Sequence, residues 1–168
     1  MARDGGFGLF DNRWVRPDRE GGFDLAIPSG VRTMLGDLVD RLDELLGTDS
    51  DLVRRVFPTA YPDDAEREAG YQAMVRGELI DRHRASAATI ADTVEADHLT
   101  EAELTAWMTA VNALRLVFGT ALDVSEDVPL HVDMDSDEGP AQLAYQVLSE
   151  LVDDIVTALR WTLPEPEA

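Results

Sequence analysis

The stretch Thr100–Gly119, TEAELTAWMTAVNALRLVFG, constrains this chain more than any other, because it carries the pattern of an amphipathic helix with both ends marked. With successive residues about 100° apart, Leu104, Trp107, Met108, Val111, Leu114 and Phe118 fall on one stripe. Thr100 and Glu103 have the spacing of a capping box, and Leu99 and Leu104 that of the matching hydrophobic staple. Gly119 is placed to close the helix. Arg115 is out of character. It lies near the centre of the apolar stripe, with Asn112 at the edge. A guanidinium keeps its proton and is costly to bury alone, so it must meet a carboxylate, a bound anion or a water-filled groove. A bidentate pair with an acid from another helix, such as Asp63, Asp64 or Asp81, is the expected solution.

The same periodicity recurs on both sides. Val31, Met34, Leu35, Leu38, Val39, Leu42, Leu45 and Leu46 repeat at three and four between Ser29, read as an N-cap, and Gly47. Leu52, Val53, Val56 and Phe57 suggest a short helical turn that Pro58 stops. Acids at Asp63, Asp64 and Glu66 suit a helix start, and that helix is expected to reach about Val75. Gly77 then marks a break before Glu78–Ala96, whose stripe is Leu79, Ile80, His83, Ala87, Ile90 and Val94. Pro140 fits the first turn of a last helix ending near Trp161. Apolar residues from Leu143 to Leu159 cover more than half its circumference, so it is either central in a bundle or shared with a second subunit, which allows a homodimer.

Before Ser29 the helical pattern is missing. Arg13–Val15 and Phe23–Ile27 read as two strands, with turn residues Pro17, Asp18, Gly21 and Gly22 between them. The fold class that follows is mainly α: a single-domain helical bundle of four long and one or two short helices, with a small N-terminal β-hairpin at about residues 7–28. The helical domain is expected over residues 1–163 and a flexible tail over 164–168.

Charge narrows the function classes. There are 34 acidic and 14 basic residues, all of the latter arginine, for a net charge of −20. Such a chain repels phosphate backbones and anionic lipid at long range. Arg76, Arg82 and Arg84 point in different directions on a helical wheel, which disfavours a nucleic-acid patch. No apolar run is long enough for a membrane span, and the N-terminus lacks the regions of a secretion signal, so a cytoplasmic location is expected. The absence of cysteine excludes a thiol switch or thiolate metal site within this chain. His83, His98 and His131 show no zinc spacing, and His83 reads as a core or boundary residue. Asp133, Asp135 and Asp137 start like an EF-hand loop, but Glu138 stands where glycine is needed and Ala144 where the bidentate glutamate belongs. The stretch Asp123–Glu138 reads instead as an exposed acidic loop. No metal or cofactor is expected, and no nucleotide-binding or nucleophile motif supports catalysis.

Two segments carry a family likeness. Pro58, Thr59, Ala60, Tyr61 and Asp64 form a Pro-Thr-Ala-Tyr-x-x-Asp motif. Trp107, Asn112, Arg115, Leu116 and Gly119 form Trp-x4-Asn-x2-Arg-Leu-x2-Gly. In order and spacing the chain resembles the actinobacterial domain-of-unknown-function 2017 family, which includes AosR-like oxidative stress regulators and whose genes often neighbour that of the ClpS adaptor. The resemblance implies a transcriptional or stress-response regulator. In redox-regulated members, thiol chemistry is thought to control association with a sigma factor; a chain without cysteine departs from that pattern. Tyr61 and Asp64 would then meet Asn112 and Arg115 across a groove.

Three functions remain in competition. The first is a non-catalytic regulator acting by protein–protein interaction, with a sigma factor, RNA polymerase or a Clp-system component as partner. The second is a direct DNA-binding regulator. The third is a small-molecule or anion-binding module centred on Arg115.

Overall fold

The computed structural model describes residues 13–125 and 130–162. The expected tail at 164–168 and the part of the hairpin before residue 13 lie outside the described residues. Strand β1 (Val15–Pro17) pairs antiparallel with β2 (Phe23–Leu25), Val15 opposite Leu25 and Pro17 opposite Phe23. The expected hairpin is present, but the first strand sits further along than Arg13–Val15. A third strand, β3 (His98–Leu99), pairs with the other edge of β2 and completes the order β1-β2-β3. Two residues are too few to leave an alternating pattern in sequence, so β3 was not legible there. Alternation puts Val15, Phe23, Leu25 and Leu99 in the core and leaves Arg16, Asp24 and His98 outside. Gly22 is required twice: its φ is +102°, and an added Cβ would lie 2.8 Å from the Leu99 carbonyl oxygen.

Helix α1 (Ser29–Leu46) buries Arg32, Leu35, Val39, Leu42 and Leu46 along one stripe. Ser29 is the first helical residue and not the N-cap; that position is Pro28, which has no side-chain donor or acceptor to use. A single 3-10 turn, Asp51–Val53, follows. Helix α2 runs unbroken over Ala65–Thr93. The break expected at Gly77 does not occur. A lone glycine costs a helix about 1 kcal/mol, less than the hydrogen bonds forfeited by interrupting it.

Helix α3 (Glu101–Ala121) starts with the expected capping box: Glu103 N–H donates to the Thr100 hydroxyl, and Thr100 N–H to the Glu103 carboxylate. It continues two residues past Gly119, so that glycine does not end it. Helix α4 (Gly139–Arg160) buries Ala144, Leu148, Leu151, Ile155 and Ala158. The central helix is α3, which packs against α1, α2, α4, β3 and the 3-10 turn. Its Leu104, Trp107, Ala110 and Val111 are fully buried. The molecule is mainly α, four helices around one core with a small antiparallel sheet. Helix α2 is the exception to good burial: Ser86, Ala87 and Ile90 are its buried residues, and upstream of Ser86 only partly buried residues such as Leu79 and Ile80 pack against the core. Among the described residues no helix is long and apolar enough to cross a membrane.

Candidate functional site

Arg115 is carried by α3 and is half-buried. Its Nε is shielded from solvent and has no hydrogen-bond partner. The expected pair with Asp63, Asp64 or Asp81 is absent: those carboxylates are exposed, and no ion pair to Arg115 exists among the described residues. The guanidinium instead borders a pocket of about 250 Å³ lined by Arg55, Arg115, Leu116, Gly119, Val124, Ser125 and Tyr145. Arg55 reaches it from the segment after the 3-10 turn and donates from Nη1 to the Gly119 carbonyl at 3.2 Å. Here the role of Gly119 becomes clear. An added Cβ would lie 3.0 Å from the Tyr145 ring and 3.5 Å from Arg55 Nη1, so the bare backbone lets helix, ring and guanidinium converge.

Tyr61 and Asp64 do not line this pocket, and no described hydrogen bond or ion pair joins them to Asn112 or Arg115. The proposed four-residue groove is therefore corrected to two separate places. Asp64 is the N-cap of α2, its carboxylate accepting from Arg67 N–H at 3.0 Å. The Glu68 carboxylate accepts from the backbone N–H groups of Ala60 and Tyr61, at 3.0 and 2.8 Å, and folds the preceding loop onto α2. Hydrogen bonding by the Gln72 side chain, then by Tyr61 N–H, holds the Glu68 pKa below its ordinary value. The Tyr61 ring meets Tyr71 edge-on, centroids 5.8 Å apart, and carries the Arg67 guanidinium 4.0 Å from its centroid. The first motif thus builds and latches the α2 N-terminus. Within the second, Trp107 is a core residue whose Nε1–H donates to Thr93 Oγ1 at 2.8 Å, tying α3 to the end of α2. Asn112 is half-buried and makes no hydrogen bond with a described group.

Comparison with known proteins bears directly on these two motifs. The family model described as "Domain of unknown function (DUF2017)" matches residues 12–159. The chain belongs to that family. It is also 32% identical over 127 residues to a Mycobacterium leprae (strain TN) protein named "Putative oxidative stress regulator AosR". That alignment covers 66% of this chain and 58% of the relative, so the chain spans little more than half of the curated protein it matches. No solved structure matches it.

Among the described residues of this DUF2017 chain, the most deeply buried charge is one that sequence reasoning passed over. Arg32 is 7% exposed. Its Nε donates to the Ile27 carbonyl at 3.1 Å, Nη1 to those of Val94 and Ala96 at 2.6 and 2.7 Å, and Nη2 to Asp97 Oδ1 at 3.0 Å. It clamps the end of α2 and the start of β3 onto α1. The signal was available: Arg32 begins the 32-35-39-42-46 stripe, the same anomaly for which Arg115 stood out. Arg76 and Arg84 are also engaged, with Asp49 at 3.5 Å and Asp43 at 2.7 Å. His83 lies edge-on to Phe57, centroids 6.1 Å apart, and its Nδ1 is buried without a partner. Burial, with the Arg82 charge adding, lowers its pKa. Among the described residues one trio of ligand-type groups is close enough to share a metal ion: Asp18, Asp24 and His98, on the outer side of the sheet, with ligand atoms within 4.8 Å.

Proposed function

We propose that the chain is a regulator, without catalytic activity, that works by protein–protein contact in a transcriptional or stress response. A sigma factor, an RNA polymerase subunit or a Clp-system component is the proposed partner, in the cytoplasm. The name of the Mycobacterium leprae relative supports the regulatory part. The observation that carries the contact part is the unburied stretch of α2. Helices in proteins owe most of their stability to packing an apolar face, yet α2 has no buried residue before Ser86. That stretch exposes Met74 at 80% next to the half-buried Tyr61 and Tyr71. Aromatic and methionine side chains at an otherwise polar edge are the composition of a protein-binding surface. The net charge of −20 steers such a surface toward basic partners.

The test is affinity capture from a host lysate with the wild-type chain and with Tyr71→Ala/Met74→Ala. Recovery of a transcription or proteolysis component by the wild type, and its loss with the double variant, is the expected result. Equal recovery by both, or recovery of neither class of component at any salt, counts against the reading. Direct DNA binding predicts retardation of a promoter fragment with steep salt dependence. Engagement of Arg76 by Asp49 and of Arg84 by Asp43 weighs against it.

A further inference from the structure

We propose that the pocket framed by Arg55, Arg115 and Tyr145 is a binding site for a small phosphate-type oxyanion, free or esterified to a small metabolite. The inference does not rest on the regulatory reading, since a chain lacking any transcription or proteolysis partner would still bind the anion.

This chain has 34 acidic residues for 14 arginines, and among the described residues Arg32, Arg76 and Arg84 each sit within 4 Å of a carboxylate. Among the described residues, the lining of this pocket includes two arginines and no acid. Two like charges facing one small space repel each other, and Arg115 Nε has also lost its water without gaining a partner. An anion on the outer nitrogens offsets the repulsion between the two guanidinium groups. The geometry is held open for it: the Gly119 carbonyl fixes Arg55, and the missing side chain at Gly119 brings Tyr145 alongside. Ser125 and Tyr145, each bearing a hydroxyl able to donate, are also among the lining residues.

Shape and donor count select the ligand class. A guanidinium presents a planar fork that takes two oxygens, so two forks call for more acceptors than one carboxylate offers. Phosphate supplies them. The volume of about 250 Å³ is below that of drug-sized sites and suits the anion with a short organic group at most. The global field of the chain opposes anions at long range, so affinity resides in the two local forks.

Calorimetric titration of the full chain at low ionic strength tests this, with inorganic phosphate, glycerol phosphate and acetate as probes. Phosphate is expected to bind at one site and acetate not to compete. Arg55→Gln and Arg115→Met are each expected to weaken phosphate binding by about tenfold or more, the cost of losing a charge-assisted fork. Arg54→Gln, exposed and adjacent in sequence, controls for general charge and is expected to change it by about twofold or less. If Arg115→Met fails to fold, Arg55→Gln carries the test. Tighter binding of glycerol phosphate assigns an esterified ligand, and tighter binding of phosphate a free one. Absence of binding to the wild type overturns the proposal, as do equal losses with Arg54→Gln and Arg55→Gln.

Discussion

Arg32 has every guanidinium nitrogen engaged at 7% exposure, while Arg115 has a buried Nε with no partner. The contrast sets opposite expectations for the same substitution. Arg32→Met leaves the carbonyls of Ile27, Val94 and Ala96 without their donor and is expected to cost about 2–4 kcal/mol. Arg115→Met removes an ion that has no partner among the described residues and is expected to stay within about 1 kcal/mol of wild type, or to stabilise. Urea midpoints of the two variants decide the matter; equal losses would mean that Arg115 is structural after all. His83 gives the pH dependence. Its folded pKa lies below the ordinary 6.5 because of burial, with Arg82 contributing. Above that ordinary value both states are neutral and the contribution is fully present. As pH falls below it the unfolded chain takes up the proton first, so stability declines until the folded pKa is reached. His83→Leu should therefore lose less stability than wild type between about pH 7.5 and about pH 5.5 in denaturant titrations. An identical decline would remove His83 as the source.

At the scale of elements, two glycines inside helices show how neighbours decide the sign of a propensity. Gly77 has nothing within 4 Å of where a Cβ would stand, and α2 passes through it unbroken. Gly77→Ala is expected to stabilise the protein by about 0.5–1 kcal/mol. At Gly119 the same Cβ meets the Tyr145 ring at 3.0 Å, so the gain should be smaller or reversed. Thermal melts of the two variants compare them directly, and a loss at Gly77 would argue for a kink there. Local chemical signals for helices held at two starts and failed at Ser29, which is the first helical residue and not the N-cap. The box of Thr100 and Glu103 and the cap of Asp64 formed because their bonds need no distant partner. Glycine as a stop sign was not reliable at Gly77 or Gly119, because whether a glycine ends a helix or admits a neighbour depends on what lies beside it.

The whole molecule carries a net charge of −20 on one small domain. Self-repulsion of that size destabilises the compact state, and added salt screens it. Melting temperature is expected to rise from low to physiological ionic strength, because the few arginine–carboxylate pairs lost to screening are outnumbered by like-charge contacts relieved. A fall over that range would mean that specific ion pairs dominate. Helix α2 illustrates what global packing adds: its periodicity from Leu79 to Val94 is ordinary, yet its first half is left outside the core. That exposure, not any motif, is what supports the proposed partner surface.

Periodicity, caps and composition determined the mainly α class, four of the helix starts to within a residue or so, the hairpin and the apolar residues of the core, because each is a property of neighbours along the chain. The motif spacing was enough to indicate the family. Only the tertiary structure decided which arginine is clamped and which lines a pocket, since Arg32 and Arg115 occupy equivalent positions on their own stripes. The partners of Arg32 lie 62 to 65 residues away for three of its four bonds, and Arg55 and Tyr145 reach Arg115 from different elements. Burial and charge pairing are set by contacts between distant segments, and no local pattern records them.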